Sequence, residues 1–202
     1  MATTTYMKAR YNELLRDIEK TRQDTAEWYR NAIKSVSGNE LLIRNRPRLL
    51  PTRRITPMLT GRMIMYFYDP KHKKTLPYYD RFPLCIPITI HRDGWTGLNL
   101  HYLPARLRVQ LLDALYEIYN NKHLDEKRRL NITYQTLQSV MRIRYYQPTI
   151  HRYLTNHLRS KIYIVDPHEW DLTLMLPTER FVGKSKQGVW NDSRQKLGLR
   201  NY

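Results

Sequence analysis

The sequence predicts an α+β domain built on a small antiparallel β-sheet or SH3-like barrel, with helices inserted between the strands. Between Gly61 and Pro104, short runs of β-branched and aromatic residues alternate with Asp, Pro and Gly turns, which is typical of antiparallel strands. A helical apolar pattern follows Pro104, and strand-like runs return later in the chain. A long N-terminal helix and an extended C-terminal arm are expected to flank this core.

The first element is a helix expected over residues 6–36, which contain no proline or glycine. Its apolar stripe advances by four and three residues, the step of a helix-packing seam, and Arg22 and Thr25 weaken its middle. The stripe can pack on its own domain or on another subunit. The residues assigned to subunit contact are Tyr11, Leu15, Ile18 and Tyr29. Residues 1–38 are therefore expected to form an assembly helix.

Residues 39–60 are expected to form a basic arm that runs extended over a surface. Three prolines within RNRPRLLPTRRITP, from Arg44 to Pro57, oppose both a helix and a central strand. The arginines of this arm are Arg44, Arg46, Arg48, Arg53 and Arg54. They either pair with acidic neighbours in a solvated linker or contact phosphates, which needs cations but no fixed spacing.

A core domain is expected over residues 61–177. Its first three strands are predicted at Met63–Tyr68, Leu84–Ile90 and Gly97–Tyr102. Turns at Asp69-Pro70 and Asp93-Gly94 separate them. Pro83 and Pro87 each remove a ladder donor, so the second strand should hold an edge or carry a bulge. The first turn ends in a basic tip, Lys71, His72, Lys73 and Lys74.

Helices are expected in the middle of the core. The clearest begins at Pro104, with Asp113 and Glu117 facing solvent and an apolar face that covers the strands. The apolar face consists of Leu107, Leu111, Ala114, Leu115 and Ile118. Residues 121–131 are then expected to form a polar connector, and residues 133–140 and 148–159 two short helices.

The basic turn at residues 141–146 between these two helices is compatible with a DNA-reading helix-turn-helix. The second helix, TIHRYLTNHLRS, leaves only Arg152, Asn156 and Arg159 outward, so two packed helices are the preferred interpretation. Strands are expected again at residues 161–165 and 171–176. Residues 178–202 are expected to be an extended basic arm, with Phe181 and Trp190 as anchors on a neighbouring subunit.

The net charge of +17, from 35 Lys and Arg against 18 Asp and Glu, is the strongest global feature of the 202 residues. It implies a nucleic acid, an anionic membrane or an acidic protein as partner. No apolar stretch of transmembrane length is present, and the single cysteine rules out an internal disulfide. Besides the arm, the candidate residues for nucleic-acid or acidic-partner binding are Lys71, Lys73, Lys74, Lys127, Arg128, Arg129, Arg142 and Arg144. The C-terminal lysines belong with them, and tyrosine pairs such as Tyr78-Tyr79 and Tyr145-Tyr146 are suited to stacking on bases.

Catalytic chemistry has weak support. Cys85 lies in an apolar strand, where a free cysteine is usually a small hydrophobe rather than the partner of His91 or His101. The histidines lack zinc-ligand spacing. Asp69, Asp80 and Asp93, which a metal-dependent nuclease would need, lie in turn-like sequence. No enzyme activity, metal or cofactor is therefore expected.

Four segments carry a resemblance to a known family: YDPKHKKTLPYYDRFPL (68–84), GWTGLNLHYLP (94–104), DPHEWDLTLMLPTERF (166–181) and VWNDSR (189–194). The chain resembles small virion-assembly proteins of T4-like contractile-tailed bacteriophages and their marine relatives. The resemblance implies a minor structural component of the neck, tail or baseplate, or a protein that guards the ends of packaged DNA. It transfers no catalytic residue.

The sequence thus favours a non-enzymatic virion component, assembled in the host cytoplasm, whose basic surface contacts DNA or acidic subunits. It is expected to join other virion proteins in a symmetric multi-subunit assembly without contacting a membrane. The alternative is an end protector that binds the termini of packaged double-stranded DNA without sequence preference. Salt-dependent DNA binding separates the two hypotheses.

Overall fold

A computed structural model describes residues 6–37, 49–50, 60–174 and 181–198, and its centre is an open antiparallel sheet. The strands are β1 Leu49–Leu50, β2 Met63–Met65, β3 Tyr79–Asp80, β4 Leu84–His91, β5 Gly94–Asn99, β6 Ile150–Leu154, β7 Ile162–Val165 and β8 Phe181–Val182. Six of them form one sheet in the order β1-β7-β2-β4-β5-β6, and β3 pairs with β8 separately. Within the described ranges β1 and β6 are the sheet's two edges, so the sheet does not close into a barrel.

Helices account for most of the remaining structure. They are α1 Tyr6–Arg16, α2 Ile18–Ser37, α3 Ala105–Asn120, α4 Glu126–Arg142, α5 Trp170–Leu174 and α6 Lys186–Lys196. Short 3-10 segments include Leu100–Tyr102 and Arg144–Thr149. None of the helices in the described ranges has the length and hydropathy that crossing a bilayer requires. The predicted α+β class is confirmed.

Both faces of the sheet are buried. Met63 and Met65 of β2 point to the larger cluster, which also contains Leu111 and Leu115 of α3, whereas Ile64 between them belongs to a second cluster. This alternation follows from the two-residue period of a strand. The second cluster is rich in aromatic rings and consists of Ile64, Tyr66, Tyr68, Cys85, Trp95, Tyr153, Leu158 and Ile162.

The prolines of β4 have the effect that the sequence predicts. β4 is central, between β2 and β5, and its register with β5 shifts between Pro87 and Thr89. The Pro87 carbonyl accepts a hydrogen bond from the Gly61 backbone N–H at 2.9 Å. A bulge therefore accommodates the missing donor of Pro87, and the alternative of an edge strand is not realised.

The N-terminal helix breaks at Asp17 and packs on its own domain. The Met7 backbone N–H donates to Asp113 Oδ1 at 2.8 Å, and the Tyr6 and Tyr116 rings stack with centroids 4.5 Å apart. The prediction that Asp113 faces solvent is wrong, because α1 covers that side of α3. Tyr11 packs against the core and Leu15 is exposed. The side chains of Ile18 and Tyr29 are outside the described part.

Two helices replace elements that were expected to be irregular or extended. The helix predicted over 133–140 is confirmed but begins earlier, at Glu126, so the predicted connector is restricted to residues 121–125. Asp125 caps the helix, and its side chain accepts from the Arg128 backbone N–H at 2.8 Å. The expected extended arm contains α6, which Ser185 caps.

Two other segments exchange helix and strand. The helix expected over 148–159 is wrong, because residues 150–154 pair with β5 as the edge strand β6. The strand expected over 171–176 is wrong over its described part, because a capping box of Asp166 and Glu169 leads directly into α5. The strand expected at 161–165 is confirmed as β7.

Candidate nucleic-acid interface

A groove of about 680 Å³ lies between the loop after Tyr68, the 3-10 turn Leu100–Tyr102, strand β6 and helix α6. Its aromatic lining consists of Tyr68, His72, Tyr78, Tyr79, Tyr102, His151 and Tyr153. Its basic lining consists of Lys71, Arg152 and Lys196. Aromatic rings beside surface cations are the two components of sites that bind nucleic-acid strands.

The aromatic rings form a packed floor. The Tyr102 ring lies 4.2 Å from His151 and 5.0 Å from Phe181, and Tyr68 lies 5.0 Å from Tyr153, measured between ring centroids. Tyr102 and Tyr153 are buried, and burial raises the pKa of both hydroxyls, so both remain protonated near neutral pH. Tyr78 is half-buried and lies nearer the surface. The floor is rigid because its rings hold one another in place.

A buried polar network supports this floor. Asp80, whose side chain is 2% exposed, bonds through Oδ2 to His101 Nδ1 at 2.7 Å and accepts from the Asn99 amide at 2.9 Å. Its Oδ1 accepts from the Phe82 backbone N–H at 2.9 Å. Asn99 also donates to the Tyr153 hydroxyl at 3.1 Å. The network therefore links strands β3, β5 and β6 beneath the groove.

The Asp80 carboxyl is ionised at neutral pH. Burial alone would raise its pKa, but the His101 ring, the Asn99 amide and the Phe82 N–H together outweigh burial and lower it. The sequence suggested only a turn residue at this position. Asp80 pairs with Phe181 in the small sheet and contacts Asn99 and His101, and Phe181 is far away in the chain.

One group of the predicted basic residues lies together at the rim of the groove. Lys71 lines the groove, and Lys73 and Lys74 are exposed on the same loop, where Lys73 pairs with Asp69 at 2.9 Å. Two of the C-terminal lysines join them: Lys196 lines the groove, and Lys184 Nζ lies 5.6 Å from the centre of the Tyr78 ring. The basic tip and the C-terminal helix thus meet around the aromatic floor.

Arg142 and Arg144 are exposed at the C-terminal end of α4 and the start of the next segment. A Cβ placed on Gly198, just after α6, would lie 3.3 Å from the Arg144 guanidinium, so Arg144 is near the end of α6 that carries Lys196. Sequence spacing did not indicate this proximity. The arm residues Arg44, Arg46, Arg48, Arg53 and Arg54 lie outside the described residues.

Lys127, Arg128 and Arg129 are not part of the groove. They lie in the first turn of α4, about 20 Å along the helix from Arg142. Arg129 donates to the Leu124 carbonyl at 3.2 Å and lines a second cavity of about 380 Å³ together with Glu126 and Asp166. That cavity has two aromatic residues in its lining, Tyr119 and Trp170, whereas five tyrosines line the groove.

Residues considered for catalysis have other roles in the fold. Cys85 is completely buried, and burial raises its thiol pKa to about 12, which opposes nucleophilic chemistry. Asp69 pairs with Lys73 and Asp93 with Arg152, while Asp80 belongs to the buried network. In the described part of the chain, no three His, Cys, Asp or Glu side chains are placed to hold a metal ion.

Comparison with known proteins gives one match that covers most of the chain. A family model described as phage T4 terminal DNA protecting protein matches residues 9–194. The chain belongs to this family. The match to the terminal DNA protecting protein family includes the residues that line the groove, from the basic tip to β6 and most of α6, except Lys196. Searches of curated proteins and of solved structures found no match.

Membership in this family tests which kind of protein the sequence predicts. The resemblance to a T4-like phage family is confirmed, and the family description names DNA protection rather than a reaction. It favours the end-protector alternative over the neck, tail or baseplate role. The individual binding and subunit-contact residues stay predictions.

Proposed function

We propose that this protein binds the termini of linear phage DNA and shields them from nucleases. The observation that carries the proposal is the groove that combines an aromatic floor with lysines from the basic tip and from α6. The family description, phage T4 terminal DNA protecting protein, agrees with this use of the groove. The protein would then travel with the packaged DNA in the virion, among other virion proteins.

The geometry suits binding without sequence preference. Lysines on an exposed loop can contact phosphates, which carry no base information, and aromatic faces accept any base. The only segment considered as a recognition helix, TIHRYLTNHLRS, contributes the edge strand β6 instead. Protection then follows from occupancy, because a bound protein covers the terminal phosphates that an exonuclease must engage.

A nuclease-protection assay tests the proposal. The full-length protein is incubated with a linear duplex and, separately, with the same sequence closed by covalent hairpins, and exonuclease digestion and binding are followed over a range of salt concentrations. We expect protection of the linear ends, preferential binding to the linear form and a steep fall of affinity with salt. Equal binding to linear and hairpin-closed DNA would refute an end-specific role.

Paired lysine variants locate the site. Lys71→Ala with Lys196→Ala, which removes the two lysines that line the groove, should reduce the magnitude of the log–log salt slope by about 2, because each lost phosphate contact contributes roughly 0.9. Lys8→Ala with Lys122→Ala removes the same charge from exposed positions that do not line the groove. If the salt slope changes equally in both double variants, DNA is bound by the overall positive charge of the protein and not by the groove.

A further inference from the structure

We infer that the groove accepts unpaired nucleotides at the DNA terminus, so that the protein prefers frayed or overhanging ends to blunt ones. The inference rests on the proposed function and specifies the form of DNA that the site selects. It follows from the size of the groove, the distribution of charge within it, and the position of Tyr78.

The size of the groove fits single nucleotides and not a duplex. Its volume of about 680 Å³ lies in the range of pockets that enclose a small organic ligand. A B-form duplex, whose major groove alone is about 12 Å wide, would have to remain outside such a space. The aromatic floor is therefore accessible to DNA only where a strand leaves the duplex.

The charge distribution places bases inside the groove and phosphates at the rim. The ionised Asp80 lies at the bottom of the groove, where it repels a phosphate. The Tyr102 and Tyr153 hydroxyls, which burial keeps protonated, are polar groups beside it. Lys71 and Lys196, both exposed, lie at the outer part of the lining and can neutralise the backbone of the same strand.

Tyr78 provides a partly exposed stacking face. Its ring is half-buried, lies 6.3 Å from Tyr102 and 6.4 Å from Phe181, and has Lys184 Nζ 5.6 Å from its centre. A base laid on this ring would join an existing cluster of tilted and edge-to-face aromatic contacts. An unpaired base has both faces free for such stacking, whereas the bases of a blunt end remain stacked in the duplex.

Binding of full-length protein to fluorescently labelled duplexes tests the inference. One duplex is blunt, one carries a four-nucleotide 3′ overhang, one carries a 5′ overhang and one is closed by hairpins at both ends. We expect at least one overhang duplex to bind about tenfold more tightly than the blunt one, within the range measured for stacking of one base on an aromatic ring. Equal affinity for blunt and overhanging ends would overturn the inference. If both also bind more tightly than hairpin-closed DNA, the proposed function survives.

Three variants link the preference to the groove. Tyr78→Leu should reduce the overhang-to-blunt ratio toward one, whereas Tyr78→Phe, which keeps the ring, should retain it. Tyr134→Ala removes an exposed ring from α4, outside the groove lining, and should leave the ratio unchanged. Thermal unfolding of each variant establishes that it folds. A ratio that persists in a folded Tyr78→Leu protein would overturn the assignment of the groove.

Discussion

The substitution Asp80→Ala tests whether the buried network supports the floor of the groove. It removes three hydrogen bonds at once: to His101 Nδ1 at 2.7 Å, to the Asn99 amide at 2.9 Å and to the Phe82 N–H at 2.9 Å. All three partners lie in residues that are completely buried. Without Asp80, these groups therefore cannot form hydrogen bonds to bulk water unless the fold opens.

The expected loss in the free energy of unfolding is about 3–5 kcal/mol, because several buried polar groups lose the partner that satisfies them. Each hydrogen bond to a charged group contributes about 1.5–3 kcal/mol, and part of the sum is offset because the ionised carboxylate no longer has to be desolvated. Small domains have only about 5–15 kcal/mol of total stability. A loss of this size is therefore easily detected.

Urea unfolding at pH 7, followed by tryptophan fluorescence, measures the loss. Asp93→Ala is the matched control, because Asp93 is 66% exposed and its ion pair with Arg152 is a surface pair, for which about 0–1 kcal/mol is expected. If Asp80→Ala is too unstable to purify, Asp80→Asn should show an intermediate loss, since it keeps the shape but not the charge. A loss below about 1 kcal/mol for a folded Asp80→Ala protein, equal to the control, would refute this role of the network.

Two further predictions concern the same face of the sheet. Burial lowers the pKa of His151 to about 4, so the unfolded chain binds a proton first as the pH falls. The free energy of unfolding should therefore decrease from pH 6.5 to pH 4. His151→Asn should abolish up to about 3 kcal/mol of that decrease, measured by urea titrations at pH 7 and pH 4.5. A Cβ at Gly94 would lie 1.9 Å from the Tyr153 carbonyl oxygen, a backbone atom. Gly94→Ala should therefore lower the free energy of unfolding by about 3 kcal/mol. Gly188→Ala, whose Cβ meets only the flexible Lys184 side chain, should be close to neutral in the same assay.

Local signals in the sequence are sufficient to predict the β4–β5 hairpin and helix α3 in the first half of the core. The alternation of apolar residues and the Asp93-Gly94 turn define the β4–β5 hairpin without help from distant residues. Pro104 starts α3 for a similarly local reason, because its fixed φ angle suits the residue at the start of a helix. These elements depend on neighbours within a few positions, so one sequence is enough to find them, although the strand predicted at Gly97–Tyr102 begins three residues after the start of β5 and includes a 3-10 turn.

The segments that were misassigned depend on distant partners. The residues of TIHRYL are compatible with either a helix or a strand, and pairing of Gly94–Leu98 with Ile150–Leu154 decides the outcome. Short apolar runs are ambiguous in this way because length and periodicity cannot separate the two structures. The turn-like sequence around Asp80 does not predict its burial for the same reason, since Asp80 pairs with β8, about 100 residues later in the chain.

The candidate site shows which lysines and arginines contribute less to DNA binding than the net charge suggests. The net charge of +17 counts every lysine and arginine equally, but Lys73 and Arg152 neutralise Asp69 and Asp93, and Arg129 donates to backbone carbonyls away from the groove. Pairing reduces what these side chains can contribute to a phosphate contact. Lys71 and Lys196, which line the groove and are exposed, are the cations through which a DNA strand on the aromatic floor would be held. The strength of binding should therefore depend on a few positions around Tyr78 more than on the overall charge.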